Sequence, residues 1–177
     1  MFQKINSKKS FFISLITTFS ILTFAQEKHL KNIKQLTFGG DNAEAYFNPK
    51  GDKLTLQVTN KAFGVSCDQI FMLDLQAQEF NEKSLQLVST GKGRTTCSFY
   101  MPDGKHIIYA STHVADHACP APPKPIEGKY LWAIYPEFDI YIADLNGKIV
   151  KQLTNTPGYD AEAVVSPDGK KIAFTSI

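Results

Sequence analysis

The sequence is poor in what a disulfide-stapled fold, a membrane protein or a nucleic-acid binder requires. Cysteine occurs three times in 177 residues, at Cys67, Cys97 and Cys119, enough for one bridge with a thiol left over and too few to hold a fold together. Beyond residue 25 no segment approaches the roughly 20 apolar residues that a membrane-spanning helix needs. Lysine and aspartate are scattered over turns without a basic stripe, which argues against a nucleic-acid footprint. Tryptophan occurs once, at Trp132. No histidine stands beside a cysteine or serine in a way that marks a catalytic pair.

The N-terminal segment, by contrast, does carry a signal. Lys4, Lys8 and Lys9 make a basic start, Phe11 to Phe24 is apolar apart from Ser and Thr, and Thr23-Phe24-Ala25 places small residues where a signal peptidase inspects them. The apolar run of about 14 residues is short for a bilayer span, so a cleaved leader is preferred to an uncleaved anchor or an apolar first helix. No Cys follows Ala25, so nothing suggests lipid attachment at a mature N-terminus. Removing residues 1–25 takes the formal charge from +2 to about −1, so the basic pI belongs to the leader. The mature chain is expected in the periplasm or outside the cell, with no membrane span once the leader is cleaved. Its roughly 152 residues suffice for one core.

What the chain has in quantity is one turn. Asn48-Pro49-Lys50-Gly51-Asp52-Lys53, Met101-Pro102-Asp103-Gly104-Lys105-His106 and Ser166-Pro167-Asp168-Gly169-Lys170-Lys171 are three copies, each followed by an alternating apolar run. Proline fixes φ at about −65° early in each turn, and glycine accepts the positive φ that a residue with a Cβ resists. Pro49, Gly51, Pro102, Asp103, Gly104, Pro167, Asp168 and Gly169 are therefore structural turn residues joining the first two strands of a unit. The intervals from Pro49 to Pro102 and from Pro102 to Pro167 each suit four short strands plus loops. Ala43 to Phe47, Thr95 to Tyr100 and Ala161 to Val165 read as the strands before the turns. Leu54 to Val58, Ile107 to Ala110 and Ile172 to Thr175 read as those after them. Third strands follow at Gln69 to Leu75 and Asp139 to Leu145, and outer strands at Leu85 to Ser89 and Ile149 to Thr154. A further outer-type strand is expected at Lys34 to Thr37.

The fold class is all-β, a partial β-propeller of four-stranded antiparallel blades. Residues 26–33 form a short lead and residues 34–177 an incomplete propeller, with blades near 43–89 and 95–154 and a half blade at 161–176. A self-contained sandwich is the competing architecture, and it leaves the ordered repetition of four-strand units unexplained. Faces that would meet a further blade lack a partner, so self-association is expected.

The run from Ser166 to Ser176, preceded by Gln152-Leu153-Thr154 and Asp160-Ala161-Glu162, resembles the repeat of the TolB-like β-propeller family, also written as WD40-like Pro-Asp-Gly repeats. The resemblance covers about residues 34–177 and implies a periplasmic or secreted propeller. The same repeat occurs in propellers of prolyl-oligopeptidase relatives, whose chemistry needs a Gly-x-Ser-x-Gly nucleophile elbow that this sequence lacks. The motif is specific for fold and uninformative about chemistry.

Individuality resides in one loop. From Thr112 to Pro136 the chain holds two of the four histidines, one cysteine, the sole tryptophan and five prolines, and long loops on compact scaffolds tend to be functional. Tyr130, Trp132 and Tyr135, with His113 and His117, are the candidate ligand-binding residues. The plainer reading is a Pro-stiffened cap whose aromatics pack over the blade rim. His113, Asp116, His117 and Cys119 offer N, O and S ligands, but at a spacing that matches no established zinc pattern, so neither a metal nor any other cofactor is assigned. An oxidising compartment permits a bridge from Cys119 to either other cysteine, with Cys97 preferred as a small buried thiol. The function expected is a scaffold binding an envelope or secreted protein, peptide or glycan without catalysis. The competing expectation is the propeller portion of a prolyl-oligopeptidase-like peptidase or a metal-assisted hydrolase.

Overall fold

The computed structural model describes residues 29–129 and 131–177. The leader expected at residues 1–25 and the candidate Tyr130 lie outside them. Residues 1–34 form a unit of their own, whose described part, 29–34, contains no strand or helix. The second unit, Gln35–Ile177, holds every strand of the described residues.

Among the described residues, ten strands form three antiparallel sheets. The first holds β1 (Asp41–Phe47), β2 (Lys53–Thr59), β3 (Gln69–Asp74) and β4 (Leu85–Leu87) in that order. The second repeats it with β5 (Thr95–Tyr100), β6 (His106–Ser111), β7 (Asp139–Asp144) and β8 (Ile149–Gln152), and a two-stranded sheet follows from β9 (Asp160–Val165) and β10 (Ile172–Ser176). Sequential up-and-down order in four-stranded units is blade topology. The strand expected at residues 34–37 does not form. No strand lies beside 35–37 among the described residues to complete a ladder, and Leu36 instead packs its side chain on the apolar face of the first blade.

Strand β6, in the middle of the second blade, is buried on both faces because a neighbour covers each side of that blade. Along β6, Ile107 and Tyr109 meet Ile70, Met72 and Val88 of the first blade. Its alternate residues, Ile108 and Ala110, meet Ala163 and Ala161 of the half blade. The period of two along a strand thus distributes one apolar run between two interfaces.

The turns behave as their chemistry dictates. Gly51, Gly104 and Gly169 have φ of 73°, 65° and 70°, and in each turn a side chain bonds the returning backbone. Asn48 Oδ1 accepts from the Asp52 and Lys53 amides, Asp103 Oδ1 from Lys105, and Asp168 Oδ1 from Lys170.

Each blade's first strand carries a bulge at the same place, between Ala43 and Tyr46, Thr96 and Phe99, and Ala161 and Val164. The bulged residues Glu44, Cys97 and Glu162 take left-handed φ of 52°, 48° and 59°, unusual for residues other than glycine. A bulge interrupts its ladder. In β5 the first blade supplies replacement partners: Gln57 Oε1 accepts from the Cys97 amide at 3.3 Å, and Thr55 Oγ1 donates to the Ser98 carbonyl at 3.3 Å. Polar side chains on β2 are therefore buried where a neighbouring blade needs them.

Candidate functional site

The loop after β6 is anchored at its beginning. Thr112 exchanges hydrogen bonds with Arg94, its amide donating to the Arg94 carbonyl at 3.0 Å and its Oγ1 accepting from the Arg94 amide at 3.0 Å. The Gly93 amide donates to the His117 carbonyl at 2.8 Å. A disulfide between Cys67 and Cys119 ties the loop to the first blade just ahead of β3. It closes a span of 52 residues, for which chain entropy alone gives a stabilisation of about 4 kcal/mol. Further on, Tyr135 Oη donates to the Ala121 carbonyl at 2.9 Å, and the turn at Ile126–Lys129 reverses the chain.

Gly93 makes this anchoring possible. A Cβ there would stand 2.7 Å from both the His113 amide nitrogen and Thr112 Oγ1, and φ is +60°. Only glycine lets the loop lie this close to the strand entry.

Under the loop lies a cleft of about 440 Å³. One wall is Pro122, Pro123 and Pro125 with Leu131, Trp132 and Ala133; the floor is Thr95, Thr96, Phe138 and Tyr159, at or just before the starts of β5, β7 and β9. Asp68 and Arg94 complete it. These residues sit at the opposite end of β5 from Pro102-Asp103-Gly104, so the cleft and the repeated turns occupy opposite faces.

Its polarity is concentrated in one pair. Arg94 Nη1 donates to Asp68 Oδ2 at 2.7 Å, across the junction of the two blades, while Asp68 Oδ1 accepts from Thr59 Oγ1 at 2.6 Å. Arg94 Nε is buried with no partner among the described residues, and the guanidinium carbon stands 6.0 Å from the Tyr135 ring centre. Burial, then the charges of Glu162 and Cys97, push the Tyr159 hydroxyl up to about 12, against a hydrogen bond from Trp132 that lowers it. Tyr159 is thus a neutral phenol at physiological pH.

The candidate residues divide. Trp132 and Tyr135 both line the cleft, Trp132 with 57% of its surface exposed. His113 is not among the lining residues: it is buried, its Nδ1 lies 2.9 Å from Ser111 Oγ, and its ring packs 4.5 Å from Tyr141. Burial, together with the charges of His117 and Lys92, lowers its pKa, so it is neutral. His117 and Asp116 are exposed and outside the cleft, and the Cys119 sulfur is spent in the disulfide. His113, Asp116, His117 and Cys119 are therefore not assembled as a ligand set, and among the described residues no three His, Cys, Asp or Glu side chains are placed to hold a metal. Cys97 is a free thiol in β5, and burial, reinforced by Glu44 and Glu162 and only partly offset by Thr96, raises its pKa to about 12.

Asp68 and Arg94 escaped the sequence reading. They lie 26 residues apart in two successive blades, with no local pattern to couple them. The one available hint was that each directly precedes a strand start.

No family model and no curated protein matches the chain. Solved structures do. A protein described as a TolB, from Agrobacterium tumefaciens, is 19% identical and superposes with a TM-score of 0.53 over 77% of this chain and 39% of that one. TolB from Acinetobacter baumannii is 24% identical, with a TM-score of 0.54 over 77% of this chain and 27% of that one. The chain thus spans well under half the length of either. At such identities the likeness concerns fold: a TolB-like β-propeller, represented here by two four-stranded blades and a hairpin of a third.

Proposed function

We propose that this chain is the blade-bearing part of a periplasmic or secreted propeller scaffold that binds an envelope or secreted partner, without catalysis, at the cleft under the 112–138 loop. The carrying observation is the contrast between a rigid, repetitive framework and a single disulfide-pinned loop that holds an exposed Trp132 over a cleft. Pockets of roughly 300–1,000 Å³, mainly apolar with a few placed polar groups, are where small or peptidic ligands bind. Exposed aromatics are effective anchors because they bring large area at low entropic cost. Among the described residues no helix is long and apolar enough to cross a membrane. A periplasmic address rests on the leader-like N-terminal segment, Met1 to Ala25, and on the TolB-like fold.

The test is partner capture from an envelope extract, compared between the native chain, a variant lacking residues 114–130 and Trp132→Ala. A specific partner enriched by the native chain should be lost from both variants while β-sheet circular dichroism is retained. Equal capture by all three removes the cleft from this reading.

A further inference from the structure

Resting on that reading of the cleft, we infer that its ligand is an uncharged saccharide, held with the C–H face of a pyranose on Trp132 and its hydroxyls on the Asp68–Arg94 pair.

Charge among the lining residues is confined to Asp68 and Arg94, and within the pair it cancels. An anionic ligand would bring its charge beside Asp68, and a cationic one beside Arg94. An uncharged ligand avoids both. A wholly apolar ligand would also fit poorly, because covering the pair with hydrocarbon would strip water from charged groups without replacing its hydrogen bonds. Both are partly open to the cleft, with 26% of the Arg94 side chain and 18% of the Asp68 side chain exposed. Arg94 spends Nη1 on Asp68, and its buried Nε has no partner among the described residues. Asp68 accepts one bond on each oxygen, leaving lone pairs on both. Adjacent hydroxyls on a sugar ring donate to a carboxylate and accept from a guanidinium at once.

Trp132 supplies the second requirement. With 57% of its surface exposed, Trp132 shows solvent a largely aromatic-carbon surface. The negative π face attracts the weakly positive C–H groups on one side of a pyranose. A ring with hydroxyls at its edge and C–H groups on its face satisfies both surfaces. The prolines of the same loop and the disulfide hold Trp132 in place before binding, which lowers the entropy lost on association.

Because Trp132 is the sole tryptophan, its fluorescence reports on the cleft directly. The oxidised chain would be titrated with cellobiose, maltose and N,N′-diacetylchitobiose, and in parallel with an uncharged proline-rich decapeptide. At least one disaccharide should give a saturable emission shift at millimolar concentration. Affinity should fall about tenfold in Asp68→Asn, as expected for losing a partly buried hydrogen-bonding group. In Trp132→Ala, followed by saturation-transfer NMR on the sugar, the transfer should vanish. This second variant replaces an exposed side chain, so the result stands even where Asp68→Asn fails to fold. A response to the peptide with none to any sugar overturns the saccharide assignment and leaves the cleft as a binding site. No response to any sugar or to the peptide overturns the saccharide assignment, and capture from the envelope extract then decides whether the cleft binds a partner at all.

Discussion

At the residue scale, burial sets the chemistry of two side chains that a sequence reader would nominate for reactivity. His113 is enclosed between Ser111 and Tyr141, and burial lowers its pKa below the ordinary 6.5, with the charges of His117 and Lys92 acting in the same direction. Above pH 6.5 the histidine is mostly neutral in folded and unfolded chains alike. Below it the unfolded chain takes up a proton that the folded chain resists, so the contribution is complete above the unfolded value and is lost as pH falls towards the folded one. The melting temperature should therefore fall between about pH 7.5 and pH 5, and by less in His113→Gln, whose side chain does not titrate in that window. Asp103 acts at lower pH. Burial raises its pKa, but the hydrogen bonds from His106 and from the Lys105 and His106 amides outweigh that and hold it below the usual carboxylate range. Cys97, with its pKa raised to about 12, should resist iodoacetamide in the native protein. Mass spectrometry should find no adduct on the native chain, one after denaturation without reductant, and three after reduction, matching one free and two bridged cysteines.

At the element scale, the Gly93–loop contact is the most sensitive joint. Gly93→Ala places a methyl group against the His113 backbone at a φ that disfavours any side chain, so it should cost about 2 kcal/mol. It should also speed hydrogen exchange at Thr112 to His117 more than in the paired strands β6 and β7. Unchanged exchange in that segment would show that the loop does not depend on the close approach. The elements differ in how far the sequence revealed them, for physical reasons. Strands and Pro-Asp-Gly turns were legible because turn geometry is a local property of proline, glycine and an Asx side chain. The bulges at Glu44, Cys97 and Glu162 were not, since those residues have no intrinsic preference for left-handed backbone and are held there by neighbouring structure. The absent strand at 34–37 had a strand-like composition but required a ladder partner, which composition does not encode. Within the site, Trp132 and Tyr135 were legible as aromatics in a long loop. The pairing of Cys119 with Cys67, and of Asp68 with Arg94, depends on how one blade sits against the next.

At the scale of the whole molecule, the blades are covered unequally. The second is packed on both faces, whereas the hairpin β9–β10 leaves Phe174, Val164 and Ile177 with 41%, 43% and 70% of their surfaces exposed. Exposed apolar side chains beside the open edge of β10 invite pairing with another copy. Light scattering behind size exclusion should show association that grows with concentration and weakens in Phe174→Lys; a concentration-independent monomer in the native chain contradicts this. The disulfide matters at this scale for another reason, which is mechanical. Because Cys67 and Cys119 are 52 positions apart in the sequence, the bridge withholds roughly 180 Å of contour length from a chain stretched at its ends, at about 3.5 Å per residue. In an optical trap, the oxidised protein should extend short of the reduced one by about that length. Under tension, the segment withheld is the one running from the start of β3 through β4, β5 and β6 to Cys119, so the strands on either side of the blade junction remain tethered after the sheets have come apart.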